Sequence, residues 1–329
     1  MALKVPTYTD VVAAARRLKG HARVTPLVRH GLLDKISGLN LFLKDETQQK
    51  SGAFKYRGAY SRLSLLNAAE RKAGVVAYSS GNHAQGVALA AKELGISVVI
   101  IMPNTAPLNK KRGTLSHGAK IVEYDPATTD RVKLAEQIAQ TENRILVPPF
   151  DEKYIIAGQG TCAVEIIEQC ARQGIKLDAL ITPIGGGGLC AGTNLAAHAL
   201  SPNTKVYGGE PVDYDDHARS LRSGKRETNA PAPLSLCDAL MAPAPGKITF
   251  QINEKYLRGV FAVTDDECLL AMALAKQTLD ITLEPGGAIA LAAALSRPKA
   301  LKPGTNVAVI LSGGNVDEEI TRLAEALDC

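Results

Sequence analysis

The chain lacks the features of membrane and nucleic-acid-binding proteins. No stretch reaches about 18 consecutive apolar residues, so we expect no membrane-spanning segment. Residues 1–10 contain no apolar signal region, and the formal net charge of +5 is small for 329 residues. The one compact basic cluster, Lys110, Lys111 and Arg112, falls on a predicted helix, where we expect a solvent-exposed face. The sequence therefore predicts a cytoplasmic protein with no nucleic-acid partner and no membrane partner.

Motifs that build zinc sites and disulfide frameworks are also absent. The six cysteines are scattered without a C-x-x-C pair, and the six histidines show no H-x-x-x-H spacing. Several cysteines fall in apolar helical segments, as reduced intracellular thiols do. The cysteines are Cys162, Cys170, Cys190, Cys237, Cys268 and Cys329. We therefore expect free thiols and no zinc site.

The P-loop motif of nucleotide-binding proteins is missing, but a run of four glycines is present. It follows an apolar segment at 179–184 that predicts a buried strand, and it precedes a predicted helix at 189–200. Glycines leave backbone N–H groups open to a bulky anion, and the helix N-terminus adds partial positive charge. The run therefore predicts a phosphate-binding loop, with a flexible turn as the alternative. Its members are Gly185, Gly186, Gly187 and Gly188.

A lysine in a second segment indicates which phosphate is bound. Glu210 lies roughly 20 residues beyond the glycine run, so a dinucleotide site fits that run taken alone. Lys55, however, stands among Ala53, Phe54 and Tyr56 where a helix is predicted to begin. An amine in a partly apolar pocket loses its proton readily and can then form a Schiff base with an aldehyde. The cofactor that requires both a lysine and a phosphate site is pyridoxal phosphate.

Strand and helix patterns alternate along the whole chain, which predicts an α/β fold with parallel sheets covered on both faces. Weak periodicity and several prolines at 220–245 predict a long surface loop. The predicted strands lie at 41–43, 74–79, 97–102, 120–124, 145–147, 179–182, 205–208, 259–263 and 307–311. The predicted helices lie at 10–18, 55–66, 82–94, 108–116, 130–141, 155–173, 189–200, 265–278, 288–295 and 316–327.

Four motifs, in this order, resemble those of the threonine dehydratase and serine racemase family of pyridoxal phosphate enzymes. They are the Ala-Phe-Lys-Tyr-Arg-Gly segment around Lys55, the Ser-Ser-Gly-Asn-His segment at 79–83, the glycine run with Leu189, and Leu-Ser-Gly-Gly-Asn around Ser312. Their order and spacing fit across nearly the whole chain. The resemblance implies the two-lobed parallel-sheet fold of the tryptophan synthase β type, fold type II of these enzymes. It also implies a large cofactor-binding domain at 1–68 and 145–329, a small mobile domain at 69–144, and a homodimer.

The resemblance assigns the cofactor contacts. Lys55 would bind the cofactor, and Phe54 would cover one face of its ring. Asn82 would donate to the ring hydroxyl; the alternative is that it only caps its helix, and the two roles are compatible. Ser312 would meet the ring nitrogen, and a hydroxyl leaves that nitrogen largely neutral, which favours elimination over transamination. The four glycines and Leu189 would hold the phosphate.

The resemblance also implies where the amino acid substrate binds. Backbone N–H groups at the start of the helix at 82–94 would hold the substrate carboxylate. Lys55 would take the α-proton, and Ser80 would serve the opposite face of the α-carbon, as in the racemases of the family. His83 is expected to be a structural neighbour and not an acid or base. The predicted substrate-binding residues are Ser79, Ser80, Gly81, Asn82 and His83.

An acidic segment after 209 resembles the divalent-cation loop of serine racemase-like members. Carboxylates and a backbone carbonyl form an oxygen site suited to Mg²⁺ or Ca²⁺, and Mn²⁺ accepts similar ligands. The resemblance implies Glu210, Asp216 and the carbonyl of Tyr214 as ligands. The alternative is a solvated acidic loop.

Taken together, the motifs predict an ammonia-lyase that removes water from threonine, serine or 3-hydroxyaspartate and yields a 2-oxo acid and ammonia. Two positions depart from the family pattern. Ala239 stands where glycine is common, and Ala53 stands where threonine dehydratases often carry serine. An alanine at position 53 resembles the 3-hydroxyaspartate dehydratase branch of the family. The alternatives are a serine or aspartate racemase with side elimination, a β-replacement enzyme of the cysteine synthase type, a cofactor carrier without turnover, and a nicotinamide dehydrogenase.

Overall fold

A computed structural model of the chain describes residues 4–296 and 300–327. Its strands form two sheets, one of six strands in the order β1-β2-β10-β7-β8-β9 and one of four in the order β5-β4-β3-β6. All neighbouring strands are parallel except β1, which pairs antiparallel with β2. The strands are β1 (Leu27–Val28), β2 (Asn40–Asp45), β3 (Val75–Tyr78), β4 (Val98–Pro103), β5 (Lys120–Tyr124), β6 (Ile145–Leu146), β7 (Ala179–Pro183), β8 (Lys205–Pro211), β9 (Gly259–Val263) and β10 (Asn306–Leu311).

Helices pack on the sheets and supply the crossovers that parallel strands need. Between β7 and β8, for example, α9 packs on both strands that it connects. The helices are α1 (Tyr8–Leu18), α2 (Gly31–Ser37), α3 (Lys55–Leu63), α4 (Ala68–Ala73), α5 (Asn82–Leu94), α6 (Leu108–Ser116), α7 (Arg131–Thr141), α8 (Lys153–Arg172), α9 (Gly188–Leu200), α10 (Asp216–Ser223), α11 (Lys247–Tyr256), α12 (Asp265–Leu279), α13 (Pro285–Ser296) and α14 (Glu318–Glu325).

The strands at the centre of each sheet are apolar because both of their faces are covered. Strands β7 and β10 are buried along almost their whole length, and β10 lies between β2 and β7. Parallel strands present their carboxyl ends at one edge of a sheet, which is where α/β proteins bind ligands. The glycine run follows β7 and Ser312 follows β10, so the topology brings these two motifs to the same edge.

The predicted α/β class with parallel sheets is confirmed, and every predicted strand is present. The sequence did not predict four helices, α2, α4, α10 and α11. The predicted loop at 220–245 was partly wrong, because α10 continues to Ser223 and a short 3-10 helix occupies Asp238–Leu240. None of the helices among residues 4–296 and 300–327 has the length and apolarity needed to cross a membrane.

Candidate active site

Lys55 is held at the edge of the large sheet by the segment that follows β10. The amide of Phe54 donates to the Ser312 carbonyl at 3.0 Å, and Ala53 forms an isolated antiparallel bridge with Gly313. Lys55 then begins α3, whose first turn packs closely against Gly86 of α5. These contacts place Lys55 next to Ser312, although 257 positions of sequence separate the two residues.

The half-buried Lys55 side chain lines a cavity, next to the Phe54 ring. Its Nζ donates to the Pro149 carbonyl at 2.9 Å and lies 5.1 Å from the centre of the Phe54 ring. Burial lowers the pKa of Lys55 to about 8, although the charge of Glu284 acts in the opposite direction. A larger fraction of this amine is therefore neutral near neutral pH than for a solvated lysine, which is the state that attacks an aldehyde.

The glycine run forms a tight loop between β7 and α9. Gly187, the N-cap of α9, has φ +92°, a conformation that residues with a side chain rarely adopt. A methyl group at Gly186 would lie 2.3 Å from the Phe150 ring, so no side chain fits there without a shift. The Gly186 carbonyl accepts from the Thr249 hydroxyl at 2.7 Å. Thr249 and Phe150 thus hold the loop on one side. The backbone N–H groups of the loop lie at the N-terminus of α9, where an anion can bind.

The predicted substrate-binding segment connects β3 to α5. The Ser79 hydroxyl accepts from the Gly81 amide at 3.1 Å, which shapes the turn before the helix. His83 is buried, and its Nε2 lies 3.0 Å from the Val147 carbonyl. Burial and the nearby charge of Lys55 lower the pKa of His83 to about 3, so the ring is neutral. A neutral ring bonded to a backbone carbonyl matches the structural role that the sequence predicts for His83.

The Asn82 side chain does not cap its own helix, because Gly81 is the N-cap of α5. Its Nδ2 donates to the Glu284 carboxylate, and its Oδ1 accepts from Asn315 Nδ2 at 2.7 Å. Burial raises the pKa of Glu284 to about 7, and the charge of Asp238 adds to this effect. The amide is therefore held in one orientation at the cavity wall. The sequence analysis missed Glu284; an acid before the apolar helix α13 was the available signal.

All the predicted cofactor-binding and substrate-binding residues line one cavity. The predicted residues that line it are Phe54, Lys55, Ser79, Ser80, Gly81, Asn82, His83, Gly185, Gly186, Gly187, Gly188, Leu189 and Ser312. Ser312 is almost completely buried and lies before Asp317, the N-cap of α14, so it does not cap that helix. Four charged side chains that the sequence did not single out as site residues also line the cavity: Lys110, Arg131, Asp238 and Glu284.

Lys110 does not lie on a solvent-exposed face, so the sequence prediction for this residue was wrong. The residue is only 8% exposed, and its Nζ lies 2.6 Å from the Asp238 carboxylate. Lys110 belongs to α6, which packs near the four-stranded sheet, whereas Asp238 lies in the short 3-10 helix at Asp238–Leu240. An ion pair between residues this far apart in sequence leaves no local pattern. The Lys110 side chain therefore extends across the cavity to Asp238 and is largely shielded from solvent.

The acidic segment forms a second, separate cluster. Glu210 and Asp216 are buried, and His217 lies with them close enough for one donor atom of each to surround a metal ion. Asp216 Oδ2 has no hydrogen-bond partner among the described residues. Burial raises the pKa of Glu210. Burial opposes the charge of His217, but the carboxylates of Asp216 and Glu210 outweigh it and raise the pKa of His217 to about 9.

The cluster contains one side chain, His217, that the expected metal loop does not include. The structure brings Glu210 and Asp216 together, and it adds His217, which the sequence analysis did not select. Tyr214 lies in the short 3-10 helix Val212–Tyr214, and its hydroxyl donates to the Pro233 carbonyl at 3.2 Å. The buried Asp216 Oδ2, which accepts no hydrogen bond from the described residues, fits a cation, because hard cations bind carboxylate oxygens.

The chain is similar over nearly its whole length to proteins with two different activities. It is 40% identical over 317 residues to a serine racemase of Schizosaccharomyces pombe, covering 96% of each chain. It is also 40% identical over 317 residues to an L-threo-3-hydroxyaspartate ammonia-lyase of a Pseudomonas species, covering 96% of this chain and 98% of the relative. The solved structure of maize serine racemase superposes with a TM-score of 0.91 at 34% identity, covering 97% of each chain.

A family model described as pyridoxal-phosphate dependent enzyme matches residues 18–313. This range includes the lysine, the glycine run, the acidic cluster and Ser312. The match extends over most of the chain, and the lysine and the glycine run line one cavity. The chain therefore belongs to the family of pyridoxal-phosphate dependent enzymes.

Proposed function

We propose that this enzyme is an ammonia-lyase that eliminates water from a β-hydroxy-α-amino acid and yields a 2-oxo acid and ammonia. The observation that carries the proposal is the shared cavity, in which a lysine of lowered pKa faces a glycine phosphate loop and the start of helix α5. Relatives named as ammonia-lyases for L-threo-3-hydroxyaspartate and for L-threonine support it.

The residues present fit pyridoxal phosphate. Its ring supplies an electron sink for the bonds at the α-carbon. The backbone of the glycine loop would hold the phosphate, and Asn82, oriented by Glu284 and Asn315, would donate to the ring hydroxyl. Ser312 would meet the ring nitrogen from the end of β10.

Lys55 is the proposed base at the α-carbon. Its amine is buried and partly neutral near pH 8, so it can take a proton there without a large cost in free energy. The N-terminus of α5 would orient the substrate carboxylate, which fixes the direction of the bond to be broken. The β-hydroxyl would then leave as water after taking a proton, which the protonated Lys55 amine can supply. Water would hydrolyse the resulting enamine to the 2-oxo acid and ammonia.

Arg131 favours a substrate with a second carboxylate. Its guanidinium lines the cavity 5.9 Å from the centre of the Tyr78 ring. Of the two other lysine and arginine side chains that line the cavity, Lys55 is the proposed base and Lys110 is paired with Asp238. A carboxylate on the β-carbon would find a partner in Arg131, so we propose 3-hydroxyaspartate as the preferred substrate over threonine and serine.

Racemisation is the second candidate function, because Ser80 lines the same cavity near the start of α5. A hydroxyl on the face opposite Lys55 can return a proton to the α-carbon. The equal identity to a racemase and to an ammonia-lyase supports both activities.

The test is a panel assay of the purified enzyme with pyridoxal phosphate. We expect release of 2-oxo acid and ammonia from threo-3-hydroxyaspartate, with smaller kcat/KM for threonine and serine. Arg131→Leu should raise the KM for 3-hydroxyaspartate and leave that for threonine nearly unchanged. Inversion of serine or aspartate with no release of ammonia from any compound would replace the lyase proposal with a racemase.

We also propose a divalent cation, Mg²⁺, Ca²⁺ or Mn²⁺, at the acidic cluster. Glu210 and Asp216 would supply carboxylate oxygens, and the Tyr214 carbonyl would supply a third. Chelation with EDTA should lower the melting temperature, and Glu210→Gln should mimic it. No response to either change would remove the cation from the proposal.

The remaining proposals concern the whole protein. The buried free thiols of Cys162, Cys170, Cys190, Cys237 and Cys268 support a reducing, cytoplasmic location, while Cys329 lies outside the described residues. A homodimer follows from the resemblance, and light scattering tests it. The segment 69–144 is proposed to move as a small domain relative to 1–68 and 145–329, and the pair Lys110 and Asp238 would hold the two together.

A further inference from the structure

His217 is a completely buried residue that the proposed reaction does not use. It is the second residue of α10, directly after Asp216. Its two ring nitrogens face two different groups of residues. Nδ1 points toward the acidic cluster, and Nε2 points toward the glycine loop.

On the Nδ1 side, the ring lies beside both acids. Nδ1 lies 3.3 Å from the Glu210 carboxylate and 3.6 Å from that of Asp216. The Glu210 carboxylate also accepts from the backbone amides of His217 and Ala218, each at 3.0 Å. Since Glu210 lies at the end of β8, these two bonds fix the start of α10, which carries the ring, to the large sheet.

On the Nε2 side, the ring lies directly beneath the loop. A methyl group built on Gly187 would meet His217 Nε2 at 2.7 Å and Asn253 Nδ2 at 3.0 Å. Nε2 itself lies 3.3 Å from Asn253 Nδ2. Asn253 Oδ1 accepts from Asn194 Nδ2 at 3.1 Å, and Asn194 belongs to α9, the helix that follows the loop.

Thr249 completes this support, because its hydroxyl donates to the Gly186 carbonyl one turn before Asn253 in α11. The loop therefore rests on a buried polar layer formed by His217, Thr249 and Asn253. Of these three, only His217 connects the layer to the acidic cluster.

We propose that His217 is a positioning residue for phosphate binding. Its ring fills the space between the Glu210–Asp216 cluster and Gly187, and so keeps the glycine loop in its conformation. The proposal rests on the proposed function in one respect, since it takes the glycine loop as the site of the cofactor phosphate. Removing the ring leaves a gap under Gly187 and beside Asn253. The loop N–H groups then lose their fixed direction, and hydrogen bonds to an anion weaken steeply with misalignment.

The test compares two ligands that share the aldehyde and differ only in the phosphate. Full-length protein freed of cofactor is titrated calorimetrically with pyridoxal phosphate and with pyridoxal. His217→Leu should weaken pyridoxal phosphate binding by about tenfold, the scale of one lost charge-assisted hydrogen bond. Pyridoxal binding should change by less than about twofold, because it does not use the loop.

Two further variants complete the experiment. His217→Gln can place an amide near the Nε2 position and should keep pyridoxal phosphate affinity within about threefold of the wild type. His198→Leu makes the same change at an exposed ring at the far end of α9 and should bind both ligands as the wild type does. Equal weakening of both ligands by His217→Leu, or no weakening of either, overturns the proposal. A wild-type protein that binds neither ligand overturns the proposed function as well.

Discussion

The Ser80 hydroxyl allows the two proposed reactions, water elimination and racemisation, to be distinguished. It lines the cavity that contains Lys55, at the turn before α5. If it delivers a proton to the face opposite Lys55, Ser80→Ala should lower racemisation by about a hundredfold, the usual scale of acid–base catalysis. Water elimination from an L-substrate should fall by only a few-fold.

Chiral chromatography and a 2-oxo acid assay on the same samples measure the two rates. Ser116→Ala, an exposed serine of α6, is the control and should leave both rates unchanged. An equal loss of both activities in Ser80→Ala would count against a proton donor on the opposite face.

Glu284 predicts a pH dependence of stability. Its pKa is about 7 in the folded protein and about 4.5 in the unfolded chain, so the folded state binds this proton more tightly. The resulting contribution to the free energy of unfolding is complete below about pH 4.5. This contribution is lost as the pH rises through about 7, and the loss amounts to roughly 3 kcal/mol. Glu284→Gln cannot ionise, so its free energy of unfolding should decline less between pH 5 and 8.

Urea unfolding at several pH values measures this difference, with the exposed residue change Glu136→Gln as the control. The control should follow the wild-type pH profile. Parallel profiles for wild type and Glu284→Gln would contradict a raised pKa at this carboxyl.

At the scale of an element, the glycine loop depends on both backbone conformation and space. Gly187 has φ +92° and no room for a methyl group, whereas Gly174 has φ +69° and open space around it. Alanine at either site costs about 1–2 kcal/mol through the unfavourable conformation. Only Gly187→Ala should also displace the loop, and we expect it to weaken pyridoxal phosphate binding at least tenfold.

Thermal unfolding and cofactor titration of both variants separate the two effects. Gly174→Ala should lose stability while keeping its affinity for the cofactor. Comparable affinities in the two variants would show that the loop tolerates a side chain at position 187.

Strands could be predicted from the sequence more completely than helices. The buried strands β4, β7 and β10 are short apolar runs with clear ends, so burial on both faces leaves a direct signal. The short helices α2 and α4 extend over only 7 and 6 residues, too few for helical periodicity to show. Helix α11 follows the proline-rich loop, and Asp151, distant in sequence, caps it.

The same contrast holds for the site. That Lys55, the glycine run and Ser312 meet in one cavity could be predicted, because each lies in a local motif that resembles the family. Lys110 and Glu284 could not be predicted, because their place in the site depends on partners that are distant in sequence. Lys110 pairs with Asp238, and Glu284 accepts a hydrogen bond from Asn82. Pairing of distant residues depends on the folded topology and leaves no pattern in either segment.

At the scale of the whole molecule, the pair Lys110 and Asp238 joins the two sides of the cavity. If the side that carries α6 closes over the substrate, losing this pair favours the open form. Lys110→Gln should then raise the KM for the amino acid by about three- to tenfold, and affinity for pyridoxal phosphate should remain near that of the wild type.

Steady-state kinetics with Lys111→Gln as the matched control tests this idea. Lys111 is the neighbouring lysine of α6, and its Nζ lies 2.9 Å from Glu123 of β5, on the same side of the cavity. The control should leave KM unchanged, and Asp238→Asn should act like Lys110→Gln. Equal effects of Lys110→Gln and Lys111→Gln would exclude a role in closure.

The central claim is that the Lys55 amine binds the aldehyde of pyridoxal phosphate. The most direct measurement is borohydride reduction of the protein with its cofactor, followed by mass spectrometry of its peptides. We predict visible absorbance before reduction, a stable adduct on the peptide that contains Lys55, and neither signal in Lys55→Ala. A protein that stays colourless, or an adduct on another lysine that persists in Lys55→Ala, would contradict the account.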